Sequence, residues 1–247
     1  MSLKLAKNLT RYYSINFDLP KRSKKNIIFI IIHYTGMKKE IEAIERLCDS
    51  ESKVSSHYFI KKNGKVLSLV PDLYTAWHAG ESSWKKFKSL NKYSIGIELS
   101  NPGHHYGYKR FPSKQIFSLV NLLSLLTKKY NIKKHNILGH SDIAPNRKKD
   151  PGEKFPWKRL AIKNLSNWHN LNENKIQKYR NLKLKIFEEK IFFKNLHHIG
   201  YSRINSSKDN KKIKLIKSFQ RKYRQNLING KIDQECLLIS RNLIKKK

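Results

Sequence analysis

The chain reads as an α/β protein: a mixed β-sheet flanked by helices, followed by a small C-terminal three-helix bundle. Three observations predict this. Ile27–Tyr34 (IIFIIIHY) is β-branched and apolar on both faces, as in a strand covered from two sides. Asn63-Gly64 separates two short β-prone runs, Ser56–Ile60 and Val66–Val70, which marks an antiparallel hairpin. Apolar residues recur at helical spacing between the strands and again beyond residue 180. Strands interleaved with helices and containing one hairpin give a mixed sheet rather than an all-parallel one.

Taken in order, Lys38–Asp49 places Ile41, Ile44, Leu47 and Cys48 on one helical stripe. Tyr93–Ser100 (YSIGIELS) is a further strand, ending near Pro102-Gly103. Pro112 opens a helix whose core face is Ile116, Leu119, Val120, Leu123, Leu126 and Tyr130. Ile137–Leu138 is a short strand feeding the loop Gly139–Gly152. Six asparagines between Asn164 and Asn181 mark a polar linker. Helical stripes then appear at Phe187–Leu196, Ile213–Tyr223 and Glu235–Leu243. The pattern divides the chain into residues 1–163, a linker 164–180 and a helical segment 181–247.

The 247 residues hold 53 Lys+Arg against 18 Asp+Glu, a formal charge of +35, which raises nucleic-acid binding as a rival function. Of these basic residues, 42 are Lys and 11 Arg, whereas base and phosphate clamping favours the planar Arg fork. The charge is also spread out: net +19 over residues 1–174 and net +16 over 175–247. A solvated, Lys-rich surface accounts for this, and it also suits an acidic substrate drawn in by a long-range field. No nucleic-acid partner is therefore expected. The longest apolar run, Ile27–Ile32, is far short of the ~20 residues of a membrane span. Lys4, Lys7 and Arg11 interrupt any secretory h-region, so the expected compartment is the cytoplasm, with the periplasm as alternative. Cys48 and Cys236 fall in separate helices and do not suggest a disulfide scaffold.

The chemistry-bearing candidates are His33, Glu98, His140, Lys148 and Asp150. His33 ends a buried strand, where open α/β sheets place their sites. His140 and Asp150 bracket the turn-rich loop HSDIAPNRKKD. Two imidazoles and a carboxylate, with a fourth position left for water, form a common catalytic zinc set. Ten histidines allow many such triples, so spacing alone does not single this one out.

The blocks IIIHYTG (30–36), VSSHYFI (54–60), AWHAG (76–80), SIGIELSNPGH (94–104) and GHSDIAPNRKKDPGEKFPW (139–157) carry a resemblance. In that order they resemble the type-2 zinc N-acetylmuramoyl-L-alanine amidases, related in fold to peptidoglycan-recognition proteins. SINFD (14–18) is similar to the family's lead-in, and the likeness runs from about Ile15 to Leu160. The resemblance implies Zn2+ held by His33, His140 and Asp150, with Glu98 as catalytic acid/base. Lys148, two residues before Asp150, would steady charge in the transition state, with Lys149 as its neighbour and competitor. Trp77 and His78 resemble a loop beside the family's active site, and Asn101 is a further candidate for substrate contact. The implied reaction cuts the amide between the lactyl group of N-acetylmuramic acid and L-alanine, in peptidoglycan or in anhydro-muropeptides. The expected protein is a monomer without a membrane span. His57 reads as a buried, hydrogen-bonded histidine, and His104, His105, His197 and His198 show no metal spacing. IGY (199–201), SFQRKYR (218–224) and INGKID (228–233) are similar to the three-helix peptidoglycan-binding domain found beside such amidases.

Overall fold

In the computed structural model, residues 9–203 and 209–245 are described; Lys4 and Lys7 lie outside them. The sheet has six strands: β1 (Leu9–Arg11), β3 (Phe29–Tyr34), β4 (Tyr58–Ile60), β5 (Val66–Ser68), β9 (Ser94–Leu99) and β10 (Ile137–Gly139). Their spatial order is β1-β5-β4-β9-β3-β10. Strands β4, β9, β3 and β10 run parallel, β5 is antiparallel to β4, and β1 is parallel to β5. The sheet is therefore mixed, and the Asn63-Gly64 hairpin is its antiparallel element, with Gly64 at φ +90 in the turn. The short strands β2 (Phe17–Asp18) and β6 (Thr75–Ala76) form one two-stranded ribbon, and β7 (Ser83–Trp84) and β8 (Phe87–Lys88) another. These dipeptide strands and β1 have too few residues to show a periodicity, and the sequence pattern does not reveal them.

Alternation along β3 and β9 sorts the sheet into two faces. Ile30, Ile32, Ile95, Ile97 and Leu99 pack on one side beneath α2 (Ser113–Tyr130), whose Ile116, Leu119, Leu122, Leu123 and Leu126 are buried against them. Val120 and Tyr130 are only half-buried at the margin of that stripe. Helix α1 (Glu40–Cys48) covers Phe59, Leu67 and Leu69 with Ala43, Ile44 and Leu47. Its Ile41, expected on the buried stripe, is instead 52 % exposed, because the helix contacts the sheet through Ala43 and the stripe turns away from it.

The opposite sheet face is covered by C-terminal helices. After α3 (His140–Ile143), α4 (Trp157–Ile162) and α5 (Glu173–Ile176) come α6 (Ile186–Ile199), α7 (Asp209–Tyr223) and α8 (Gln234–Lys245). Phe29 and Ile31 of β3, Leu138 of β10 and Ile143 of α3 share one buried cluster with Phe192, Leu196, Phe219, Tyr223 and Leu237. Although the chain order sets these helices beyond a polar linker, in space they form the second wall of the sheet. Cys48 and Cys236 are free thiols, on α1 and α8. No helix of the described residues is long and apolar enough to cross a membrane.

A core shared in this way makes the helices and the sheet melt together. Phe219→Ala, deleting a fully buried ring, is expected to cost about 3–5 kcal/mol and to lower one common transition. Thermal melts followed by far-UV dichroism and by tryptophan fluorescence would separate if the helices unfolded on their own.

Candidate active site and metal centre

Three adjacent parallel strands deliver the site. In the pairing of β3 with β9, His33 lies opposite Glu98, and both stand near the C-terminal ends of their strands. On the other side of β3, β10 ends at Gly139, and His140 begins the one-turn helix α3. The chain then returns through Arg147, Lys148 and Lys149 to Asp150, and Ser141 N–H donates to Asp150 O at 2.8 Å, closing the loop. The result is a tight cluster. His33 Nδ1 lies 2.9 Å from His140 Nδ1 and 3.2 Å from Asp150 Oδ2, and His140 Nδ1 lies 3.1 Å from the same oxygen. It is the metal-type cluster found among the described residues, and all three members are buried.

Hydrogen bonds around the rings decide which nitrogens carry protons. Ser94 Oγ donates to Leu90 O at 2.6 Å, so it accepts from His78 Nε2–H at 3.2 Å. His78 Nδ1 is then a lone pair and accepts from His33 Nε2–H at 3.1 Å. His140 Nε2–H donates to Ala79 O at 3.1 Å. Both Nδ1 atoms consequently present lone pairs, to each other and to a carboxylate. Such a group repels itself unless a cation lies among its members. Four ligands ~2.0–2.1 Å from a tetrahedral zinc stand roughly 3.3 Å apart, close to the spacing seen. The three residues fit a small divalent ion with nitrogen and oxygen preferences.

Electrostatics agree. Burial, reinforced by His140, pushes the His33 imidazole down to about 4, the neutral form a metal ligand requires. Burial alone would raise Asp150, yet the facing His140 and His33 rings hold its carboxyl far below the usual range. Glu98 is opposite in character. Burial and the Asp150 charge push it up to about 8 against the pull of Lys148, and its Oε2 is buried without a hydrogen-bond partner among the described residues. An unpaired carboxyl oxygen beside a ligand cluster is placed to exchange a proton with something that enters the cavity.

A cavity of about 500 Å³ opens over the cluster. His33, Glu98, His140, Lys148, Asp150, Trp77 and His78 all line it, so seven of the eight residues singled out from the sequence come together. Asn101 does not. It is buried in the loop after β9, its amide donating to Lys109 O at 2.8 Å and its oxygen accepting from Gly103 N–H at 3.0 Å. Trp77 is half-buried, with its indole N–H on Asp18 Oδ1 at 2.7 Å. His78 has both ring nitrogens engaged and steadies His33 from behind. It can reach there because residue 96 is glycine: a Cβ on Gly96 would lie 2.4 Å from His78 Cγ. Lys148 is half-buried and acts on both His33 and Glu98, whereas Lys149 is exposed at the rim. His57 is buried with Nδ1 accepting from Gly96 N–H at 3.0 Å, outside the cluster.

Two supports of the site carry no clear signal in the sequence. Arg147 reaches across the cavity edge to Ala79 O and Glu81 O, pinning the loop between His140 and Asp150 to the segment bearing His78. A lone arginine beside two lysines is a weak signal for a site needing a planar fork. Tyr34 O–H and His104 Nδ1 are 2.8 Å apart, and His104 Nε2 lies 3.1 Å from Glu153 Oε2, a chain bracing the cavity's other rim. No spacing rule links residues that far apart.

A buried His-His-Asp cluster beside a glutamate with an unpaired carboxyl oxygen, at the ends of parallel strands under an open cavity, is an arrangement suited to metal-assisted hydrolysis. Comparison with known proteins narrows the class. Residues 23–153 match the family model of N-acetylmuramoyl-L-alanine amidases. The chain is 32% identical over 229 residues to the N-acetylmuramoyl-L-alanine amidase AmiD of Escherichia coli, covering 88% of this chain and 82% of that one. It is 39% identical over 110 residues to the 1,6-anhydro-N-acetylmuramyl-L-alanine amidase AmpD of Haemophilus influenzae, covering 44% and 58% respectively. Among solved structures, AmiD from E. coli in complex with anhydro-N-acetylmuramic acid-L-Ala-D-γ-Glu-L-Lys superposes with TM-score 0.80 at 30% identity, over 93% of both chains. AmpDh3 from Pseudomonas aeruginosa gives 0.78 at 26% identity, over 93% of this chain and 95% of the other. The chain belongs to the N-acetylmuramoyl-L-alanine amidase family.

The raised Glu98 has a consequence for the metal-free protein. Its carboxyl is protonated in the fold up to about pH 8 but ionises near 4.5 when unfolded, so its contribution to stability is complete below 4.5 and is lost as pH rises through 8. Metal-free Glu98→Gln should match the parent near pH ~5 and exceed it near pH ~9. Urea melts in chelator at both pH values check this; equal differences at both would reject the buried, protonated carboxyl.

Proposed function

We propose that the chain hydrolyses the amide between the lactyl group of N-acetylmuramic acid and L-alanine, with zinc held by His33, His140 and Asp150. The observation that carries this reading is the convergence of two imidazole lone pairs and a carboxylate oxygen beside the unpartnered Glu98. The relatives support the substrate class, since AmiD was solved with an anhydro-muramyl peptide and AmpD is named for the 1,6-anhydro sugar. Anhydro-muropeptides, whose stem carboxylates suit a +35 chain, are the favoured substrate over intact peptidoglycan.

When bound, zinc supplies Lewis acidity, polarising the scissile carbonyl and lowering the pKa of a water toward ~7. The chain's residues do the rest. Glu98 takes a proton from the attacking water on Oε2 and delivers it to the departing L-alanine nitrogen. Its surroundings let it do both: burial and Asp150 favour the protonated state, while Lys148 favours the ionised one. Lys148 faces the oxyanion that develops on the carbonyl, in a partly dehydrated site where one charge counts for more than in water. The Trp77 ring, held by Asp18, gives the cavity wall a flat apolar face for the sugar.

Mass spectrometry of products from an anhydro-muropeptide should show release of the free stem peptide, lost with chelator and restored by zinc. Glu98→Gln should keep the metal and lose about 10²–10⁴-fold in kcat. Lys148→Ala should lower kcat far more than Lys149→Ala, and the reverse order would move the oxyanion role to Lys149.

A further inference from the structure

We infer that helix α7 is a positioning element for the ligand loop, and that Lys222 is its principal residue. The inference rests on the reading of His33, His140 and Asp150 as metal ligands. Helix α3, which begins with His140, is a single turn, too short to hold its own direction. Its orientation must come from outside. Asp142 provides the link: its Oδ2 accepts from Gly139 N–H at 2.8 Å, fixing the residue before His140. Asp142 is itself buried and held by the C-terminal region. Tyr201 O–H donates to Oδ1 at 2.8 Å, and Lys222 Nζ donates to Oδ2 at 2.8 Å. Lys222 is 2% exposed, also donates to Ile137 O at 3.3 Å, and lies 4.3 Å from the centre of the Trp157 ring.

Three further contacts come from the same face. Ser218 Oγ donates to Ser141 O at 2.7 Å, Arg221 Nε lies 3.9 Å from Glu153 Oε2, and Gln225 Nε2 donates to Phe155 O at 2.7 Å. Positions 218, 221, 222 and 225 follow the i, i+3, i+4, i+7 spacing of one helical face, with Gln225 just past the last turn. They grip the segment on both sides of the ligands, at Ser141 and Asp142 after His140, and at Glu153 and Phe155 after Asp150. Packing alone does not call for a lysine here, since burying an ammonium–carboxylate pair costs desolvation that apolar residues of similar size avoid. What the pair supplies is a fixed register between α7 and the turn that carries His140.

The test uses the full-length chain loaded with zinc or with Co(II). Lys222→Met, which keeps the side chain's length without its charge, should weaken zinc binding about tenfold in competition with a chromophoric chelator. It should also shift the visible Co(II) bands, which report ligand geometry and which loss of global stability would leave unmoved. Lys222→Arg should restore much of both. A folded Lys222→Met with the parent zinc Kd and Co(II) spectrum overturns the inference. If that variant does not fold, a Ser218→Ala/Gln225→Ala double variant takes its place, removing two contacts without stranding a buried charge. An unchanged zinc Kd and Co(II) spectrum there overturns it equally. His140→Ala separates the two readings. Metal loss in His140→Ala, with retention in the α7 variants, rejects the brace alone. Metal retained by His140→Ala rejects the ligand assignment beneath it.

Discussion

The parallel ladder between β3 and β9 is the constraint on which the site depends. Six residues pair in continuous register, and that register puts His33 beside Glu98 and Ile31 beside Gly96. A slip by one residue would send His33 into the apolar layer under α2 and remove it from both partners. The ladder is secured on that apolar side, where Ile30, Ile32, Ile95, Ile97 and Leu99 are almost fully buried. The alternate positions on β9 are then free to hold Ser94, Gly96 and Glu98: the glycine makes room for His78, and Glu98 faces the cavity. One face of two strands holds the sheet together and the other houses the chemistry.

Around that ladder the site is built from unequal charges. Asp150 is held ionised and Glu98 is pushed toward its acid form, in environments that share the same neighbours. The difference lies in contact: Asp150 touches two imidazoles, whereas Glu98 Oε2 touches no protein donor among the described residues. Two carboxyls drawn apart in this way suit the roles proposed for them, one holding a cation and the other moving a proton. The large positive charge of the chain is a separate matter, lying mostly in surface lysines.

Much of this was legible in the sequence. The strand at Ile27–Tyr34, the Asn63-Gly64 hairpin and the long amphipathic helix carry strong periodic signals because each must bury a continuous face. The five motif blocks pointed to His33, His140 and Asp150, and the structure gathers those residues into one cavity. What stayed hidden was of another kind. The dipeptide strands are too short for periodicity. Asn101 has the chemistry for substrate contact, but its side chain is consumed in closing its own loop. The Tyr34–His104–Glu153 chain and the reach of Arg147 to Ala79 depend on tertiary proximity between distant segments. The helices beyond residue 180 were visible as helices, but their apolar faces gave no indication that the partner would be Phe29, Ile31 and Leu138.

That shared wall bears on how such a protein could evolve. A tethered module can be gained, lost or exchanged between genes with little effect on its neighbour, provided its surface is already polar. Here the sheet presents Phe29, Ile31 and Leu138 to the helices, each about 1% exposed or less. A descendant that dropped the helices would have to replace those side chains with soluble ones in the same lineage. The C-terminal segment is thus bound to its catalytic neighbour by inheritance, and substitutions on either side of the seam should be found changing together.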